Sequence, residues 1–285
     1  MRTDAHSAEW VIEPRVDGVG SRIAEVWRYR ALMSFFASRA VQKLYRRTVL
    51  GRAWLVIRPL FPLLVKTLIF GGLLGVASGG VPYFLFLVAG TMAWDLFAGC
   101  LMWATRSLEL NRSLITRIYV PRLILPMAMM SPAFITLGLH AAVLAAAFGY
   151  YRVAQGTLYL APGPGLLWAL AGLLLAVLLG LAIGLWTSVI GATARDVRFT
   201  LAYILDFWFF LTPVLYPVST LPPDRQWLLY LNPMTSVVEL VQWGLLGLGG
   251  VHVLALAATC ATTVVVLAGG LWFFGKAEAD AVDRV

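Results

Sequence analysis

Charge is scarce in this sequence. Only 13% of its 285 residues are Asp, Glu, Lys or Arg, about half the roughly 25% of a soluble domain. The 22 basic and 14 acidic residues are gathered into short stretches separated by long uncharged ones. That excludes a single water-soluble core, a disordered chain and a coiled coil, each of which needs far more charge. Cysteine is nearly absent, and Cys100 and Cys260 stand in separate apolar runs, which excludes a disulfide framework and a cysteine-based metal site. The three histidines, His6, His140 and His252, have no second His, Cys or carboxylate at ligand spacing, so packing or interfacial roles are expected for them and no metal is expected. A nucleotide site is also lacking. Gly270, Gly275 and Lys276 copy the spacing of a phosphate loop, but Ala277 stands where Ser or Thr would hold magnesium. Leu271 to Phe274 end an apolar run and do not form a glycine-rich turn after a strand.

What the sequence has in plenty is apolar length, with 60% hydrophobic residues. A helix needs about 20 apolar residues to cross a bilayer, and six segments provide them: 53–76, 83–104, 121–148, 166–190, 199–217 and 251–274. The fold class predicted is an all-α integral membrane protein. Residues 1–52 form an N-terminal segment, 53–275 the transmembrane domain and 276–285 a tail. The first fifty residues have neither an uninterrupted apolar core nor a small-residue cleavage site, so the first span is expected to direct insertion itself, with both termini cytoplasmic. Counting Lys and Arg in alternate loops supports that orientation. Ten precede the first span, four lie in 105–122, two in 191–198 and two in the tail, against only Arg152 and Arg225 on the other side. The net charge of +8 is thus a topology signal and an attraction to anionic lipid; nucleic acid is not an expected partner.

From Ser21 to Arg47, aromatic residues interleave with arginines, which predicts a helix lying in the cytoplasmic headgroup layer, although Arg30 interrupts its apolar stripe. Residues 218–250 are apolar but broken by Pro217, Pro222, Pro223, Pro233 and several glycines, predicting a re-entrant pair of half-helices on the external side. No internal repeat of the kind common in secondary transporters is visible. Gly180 with Gly184, and Gly71 with Gly75, give small-residue faces for close helix contact.

Four ionisable residues fall inside spans: Arg58, Lys66, Asp95 and Asp206. Each is costly in hydrocarbon and so a functional candidate. Arg58 can snorkel to the cytoplasmic surface, whereas Lys66 lies roughly 12 Å deeper and is expected either to pair with Asp95 or Asp206 or to face an anionic head group. Tyr203, Phe207 and Phe210 share one face of the fifth span, near Tyr216, and the second span carries Trp94 and Phe97. These rings suit either a path for sugars or contacts with lipid. In the stretch Asn111 to Arg122, Leu114, Ile115 and Ile118 form the apolar face of a short cytoplasmic helix between Arg112 and Arg117. That face fits a groove on a partner, or the membrane surface.

Several strings carry a more specific signal: Thr48 to Trp54 (TVLGRAW) with Arg58-Pro59-Leu60; Gly80 to Gly90 (GVPYFLFLVAG) with Trp94; Ser107 to Pro126; Ala194 to Phe199 (ARDVRF); Leu211 to Pro222; and Leu231 to Glu239. In this order they resemble the permease subunits of ABC-2 type ATP-binding-cassette exporters, particularly the branch that exports polysaccharides such as O-antigen, capsule or teichoic acid. The resemblance covers about residues 25–250. It implies two copies of this chain, two separately encoded ATPase subunits that bind ATP and magnesium, a lipid-linked glycan as substrate and the bacterial inner membrane as location; no cofactor is expected on this chain. It further implies that Asn111, Arg112, Leu114, Ile115, Arg117, Ile118 and Tyr119, with Arg195 and Asp196, contact the ATPase. The N-terminal helix would frame a lateral lipid entrance, residues 218–247 an external gate. On this reading Arg30, Arg52, Arg58 and Lys66 are candidates for the pyrophosphate head group, and Trp94, Phe97, Tyr203, Phe207, Phe210 and Tyr216 for the glycan path. Relatives usually read Arg-Asp-Ile-Lys where this chain has Arg39-Ala40-Val41-Gln42, and Leu44 replaces a usual basic residue, leaving less charge there to grip a head group. A proton-coupled flippase using Lys66, Asp95 and Asp206 is the alternative from another class.

Overall fold

The computed structural model describes residues 28–45, 53–115, 120–161, 163–194 and 196–282. Among these the chain is helical, with no strand. The elements are α1 (Arg30–Tyr45), α2 (Trp54–Lys66), a π-helical segment (Thr67–Leu73), α3 (Tyr83–Thr105), α4 (Ser107–Ile115), α5 (Ile124–Met129), α6 (Ser131–Gln155), α7 (Gly165–Thr193), α8 (Asp196–Leu211), a 3-10 turn (Val218–Thr220), α9 (Gln226–Tyr230), α10 (Pro233–Leu246) and α11 (Val253–Val282). Five stretches are long and apolar enough to cross a membrane: Val56–Leu73, Tyr83–Ile115, Ile124–Gln155, Gly165–Thr193 and Val253–Ala277. This is a multi-pass membrane protein.

The centre of the bundle is α3, buried from Leu85 to Phe97 except at Asp95, with α7, α6 and α10 packed around it. Lipid is as apolar as leucine, so burial of aliphatic side chains does little to drive helices together in a bilayer; close backbone approach and polar contacts must. Glycines supply the approach. A Cβ on Gly184 would lie 2.5 Å from the Cβ of Ala104, and one on Gly180 would lie 2.8 Å from the carbonyl of Phe97. The expected small-residue face of this helix is therefore the α3–α7 seam. Gly165 and Gly244 perform the same service between α7 and α10, where a Cβ on Gly244 would come within 2.5 Å of the Ala169 nitrogen. On the other side of α7, Trp186 stacks on Phe273 of α11 at 4.9 Å and donates to the Val266 carbonyl.

Several boundaries differ from the sequence expectation. The fifth expected span, 199–217, ends as a helix at Leu211, about 24 Å long at 1.5 Å per residue. Pro213 brings no N–H, and the Thr212 hydroxyl donates to the Trp208 carbonyl, closing the last turn. The third expected span is two helices, α5 and α6, separated at Met130, with Pro132 in the first turn of α6. It runs on to Gln155 and stops at Gly156, whose φ of 70° is left-handed. Segment 218–250 is not two comparable half-helices: its first half is a 3-10 turn plus the five residues of α9, its second the 14-residue, largely buried α10. Of the expected Ser21–Arg47 interfacial helix, residues 28–45 are described, and the helix α1 runs from Arg30 to Tyr45. It does more than lie on a surface, because Phe36 is fully buried against Val120, Ile124, Leu125 and Ala128.

Candidate functional site

After the second apolar stretch, α4 turns away from α3 at Arg106. Its Glu109 accepts a 2.9 Å bond from Arg198 Nη1 on α8, and Arg198 also lies over the Phe199 ring at 4.7 Å. The segments 105–122 and 191–198 are thus joined by a charge-assisted bond that the sequence did not single out. Beside them Thr105 and Thr187 share a 2.6 Å hydroxyl contact that ties α3 to α7. Arg112 is exposed, while Leu114 and Ile115 are half-buried against the Phe36 cluster. Asn111 is a correction: it is 2% exposed, and its Nδ2 donates to the Ser107 carbonyl, so it braces α4 from inside and has no surface to offer a partner. Asp196 is exposed in the first turn of α8, where a negative charge is favourable. Arg117, Ile118, Tyr119 and Arg195, like Arg52 among the head-group candidates, lie outside the described residues.

The aromatic candidates divide in two. Trp94 and Phe97 are 4% and 0% exposed and lock edge-to-face with Trp208 and Phe209, ring centroids 5.2–6.1 Å apart. They are core, which corrects their expected place on an open sugar path. Sequence spacing misses this because the partner rings come from α8. Tyr203, Phe207 and Phe210 are 76%, 77% and 60% exposed and form a continuous outward stripe. Tyr216 is half-buried and donates to the Phe210 carbonyl.

Three of the four ionisable residues expected inside spans, Lys66, Asp95 and Asp206, interact here. Lys66 Nζ sits 3.9 Å from the centroid of Phe209. The group within ion-pair distance of Asp95 is His140 Nε2, at 3.4 Å, so the direct Lys66–Asp pair expected from sequence is replaced by a cation–π contact and an imidazole–carboxylate contact. Lys66 still feels the charges of both Asp95 and Asp206. Arg58 and Arg30 stand at exposed positions.

Beyond α8, Asn232 is a hub. Its Oδ1 accepts from Trp208 Nε1 at 2.8 Å and from the Met234 N–H as the N-cap of α10, and its Nδ2 donates to Thr212 Oγ1 at 2.8 Å. The dipeptide Asn232-Pro233 was the signal: cap, then a residue pre-set for the first helical position. An open groove of about 430 Å³ beside it is lined mostly by apolar groups, including Leu211, Leu228 and Leu231. Nearby, Tyr230 donates to Glu239 Oε1 at 3.3 Å and stacks on His252 at 4.8 Å. Burial pushes the Glu239 carboxyl up to about 7, against which the Tyr230 bond works. Burial and the neighbouring carboxylate push the Tyr230 phenol up to about 12.

Among the described residues no group of three His, Cys, Asp or Glu is placed to hold a metal ion. What the geometry offers is two linked loop segments, a small-residue helix core and an exposed aromatic stripe on α8, followed by the capped helix α10. Two curated proteins are similar over most of this length. The O-antigen export system permease protein RfbA of Myxococcus xanthus is 27% identical over 225 residues, 77% of this chain and 82% of that protein. A protein of the same name from Klebsiella pneumoniae is 23% identical over 221 residues, covering 77% and 81%. The family description "ABC-2 type transporter" matches residues 32–246, most of the chain; this protein belongs to the ABC-2 type transporter family.

Proposed function

We propose that the chain is the permease subunit of an exporter that carries a lipid-linked polysaccharide, O-antigen on polyprenyl pyrophosphate foremost, across the bacterial inner membrane. Two copies pair with two separate ATPase subunits, which supply ATP and magnesium chemistry, and α8 with residues 212–217 makes the sixth crossing, leaving both termini cytoplasmic. The names of the similar proteins support the substrate class. The observation that carries the reading is the stripe of Tyr203, Phe207 and Phe210, left open to the surroundings on α8. Aromatic faces contact the C–H faces of successive sugars without gripping one. The start of α8 is joined through Arg198 and Glu109 to α4, so a push by the ATPase on the exposed side of α4 reaches the helix that carries the stripe. Arg112 and Asp196, with Arg117, Ile118, Tyr119 and Arg195, supply the partner surface, backed by Leu114 and Ile115. Arg30, Arg52 and Arg58 attract the pyrophosphate, and α9 with α10 acts as a re-entrant external gate.

The test is transport of glycan-bearing polyprenyl pyrophosphate by the complex reconstituted in vesicles. Vanadate should stop it. Transport that survives vanadate and follows an imposed proton gradient would overturn this reading in favour of a proton-coupled flippase, for which the His140–Asp95 contact would be the natural relay.

A further inference from the structure

His140, Asp95, Lys66 and Asp206 bring ionisable side chains from four helices together. His140 is 1% exposed, and its Nδ1 lies 3.0 Å from the Thr136 carbonyl. A carbonyl only accepts, so Nδ1 carries a proton. Nε2 is then directed at Asp95 Oδ2 at 3.4 Å, off the hydrogen-bond line and without another partner. The imidazole thus closes the inner side of Asp95. Lys66 lies in the field of both Asp95 and Asp206. One basic side chain set against two acidic ones leaves no surplus positive charge to attract an anion.

Their exposure is uneven in an informative way. His140 is sealed behind Asp95, while the Asp95 side chain is 40% exposed and Asp206 is exposed. Asp206 stands three residues after Tyr203 and four before Phe210, on their face of α8. Immediately after Lys66 the helix widens into the π-helical segment Thr67–Leu73, a distortion that is frequent at functional sites. An exposed carboxylate among open aromatic rings, with a second, half-buried carboxylate facing the same lysine, suits one ligand chemistry. A carboxylate accepts from adjacent hydroxyls, an ammonium donates to hydroxyl or ring oxygens, and the rings cover the C–H face.

We infer that Asp95, Asp206 and Lys66, with His140 as a positioning residue behind Asp95, form a station within the membrane that binds the hydroxyls of uncharged sugar residues, and that Lys66 serves sugar here and not the pyrophosphate. This rests on the glycan-export reading.

The experiment measures ATPase stimulation of the full complex in lipid nanodiscs by two probes: polyprenyl pyrophosphate bearing a neutral hexose oligomer, and bare polyprenyl pyrophosphate. Asp95→Asn, Lys66→Met and the surface variant Asp206→Asn should each raise KM for the sugar-bearing lipid at least tenfold, leaving kcat and the response to bare lipid unchanged. His140→Gln should raise the same KM with kcat intact, and the Asp95→Asn/His140→Gln double variant should be no worse than Asp95→Asn alone. Equal KM increases for both lipids would place the pyrophosphate at Lys66 and overturn the assignment, as would wild-type KM in Asp206→Asn, which changes an exposed side chain and leaves the core alone. If neither lipid stimulates the wild-type complex, the export reading fails and this site fails with it.

Discussion

Separating Glu109 from Arg198 should uncouple ATP hydrolysis from transport. At 2.9 Å two unit charges attract by roughly 6 kcal/mol in an effective dielectric of about 20. Both side chains keep close to a third of their exposure, 31% for Arg198 and 28% for Glu109, so desolvation, side-chain ordering and salt leave a net worth of about 1 kcal/mol. That is about a fivefold change in the equilibrium it biases. Glu109→Gln and Arg198→Gln should each lower glycan transported per ATP hydrolysed by about two- to fivefold, and the double variant should be no worse than the worse single. The non-additive cycle isolates the pair from the stacking of Arg198 on Phe199. Reversing the charges, Glu109→Arg with Arg198→Glu, should recover much of the loss. Additive losses, or full coupling in both single variants, would refute transmission through this pair.

Three further outcomes are expected. Gly184→Ala places a methyl 2.5 Å from the Ala104 Cβ and should destabilise the detergent-solubilised protein by about 1–3 kcal/mol; Ala104→Gly should rescue it in the double variant, and independent effects in thermal melts would contradict the seam. The raised Glu239 carboxyl means that the folded state binds its proton more tightly than the unfolded chain. Its stabilisation is complete below about 4.5 and lost as pH rises through about 7, so wild-type melting should fall across neutrality relative to Glu239→Gln, whereas parallel profiles would refute this. Phe36→Ala empties a fully buried ring site and should cost about 3–5 kcal/mol, seen as faster proteolysis of α1, with unchanged proteolysis counting against its docking on α5.

Part of the site was legible before folding was considered. Tyr203, Phe207 and Phe210 were found because a helical period alone sets one face, and Gly180 and Gly184 because small residues four apart make a flat surface whatever they meet. Trp94 and Phe97 have similar spacing yet are core, since α8 brings Trp208 and Phe209 against them. Asn111 reads as a polar surface residue, but α4 turns it inward onto its own helix. Glu109, His140 and Glu239 carried no local signal, because each acquires its role from a residue on another element.

What the sequence determined by itself is therefore what local sums determine: that the chain enters a bilayer and where most of its apolar lengths lie. Hydropathy and charge act on each segment as it meets lipid and water, with no need of a partner helix. Tertiary structure decided which faces meet. It gave Asp95 to His140, set Lys66 on Phe209, ended α8 at Leu211 and joined α4 to α8 through Arg198. Those outcomes depend on the geometry of helix contact across the bundle, where a hydrogen bond or a missing methyl selects one partner among several that are equal in apolar character.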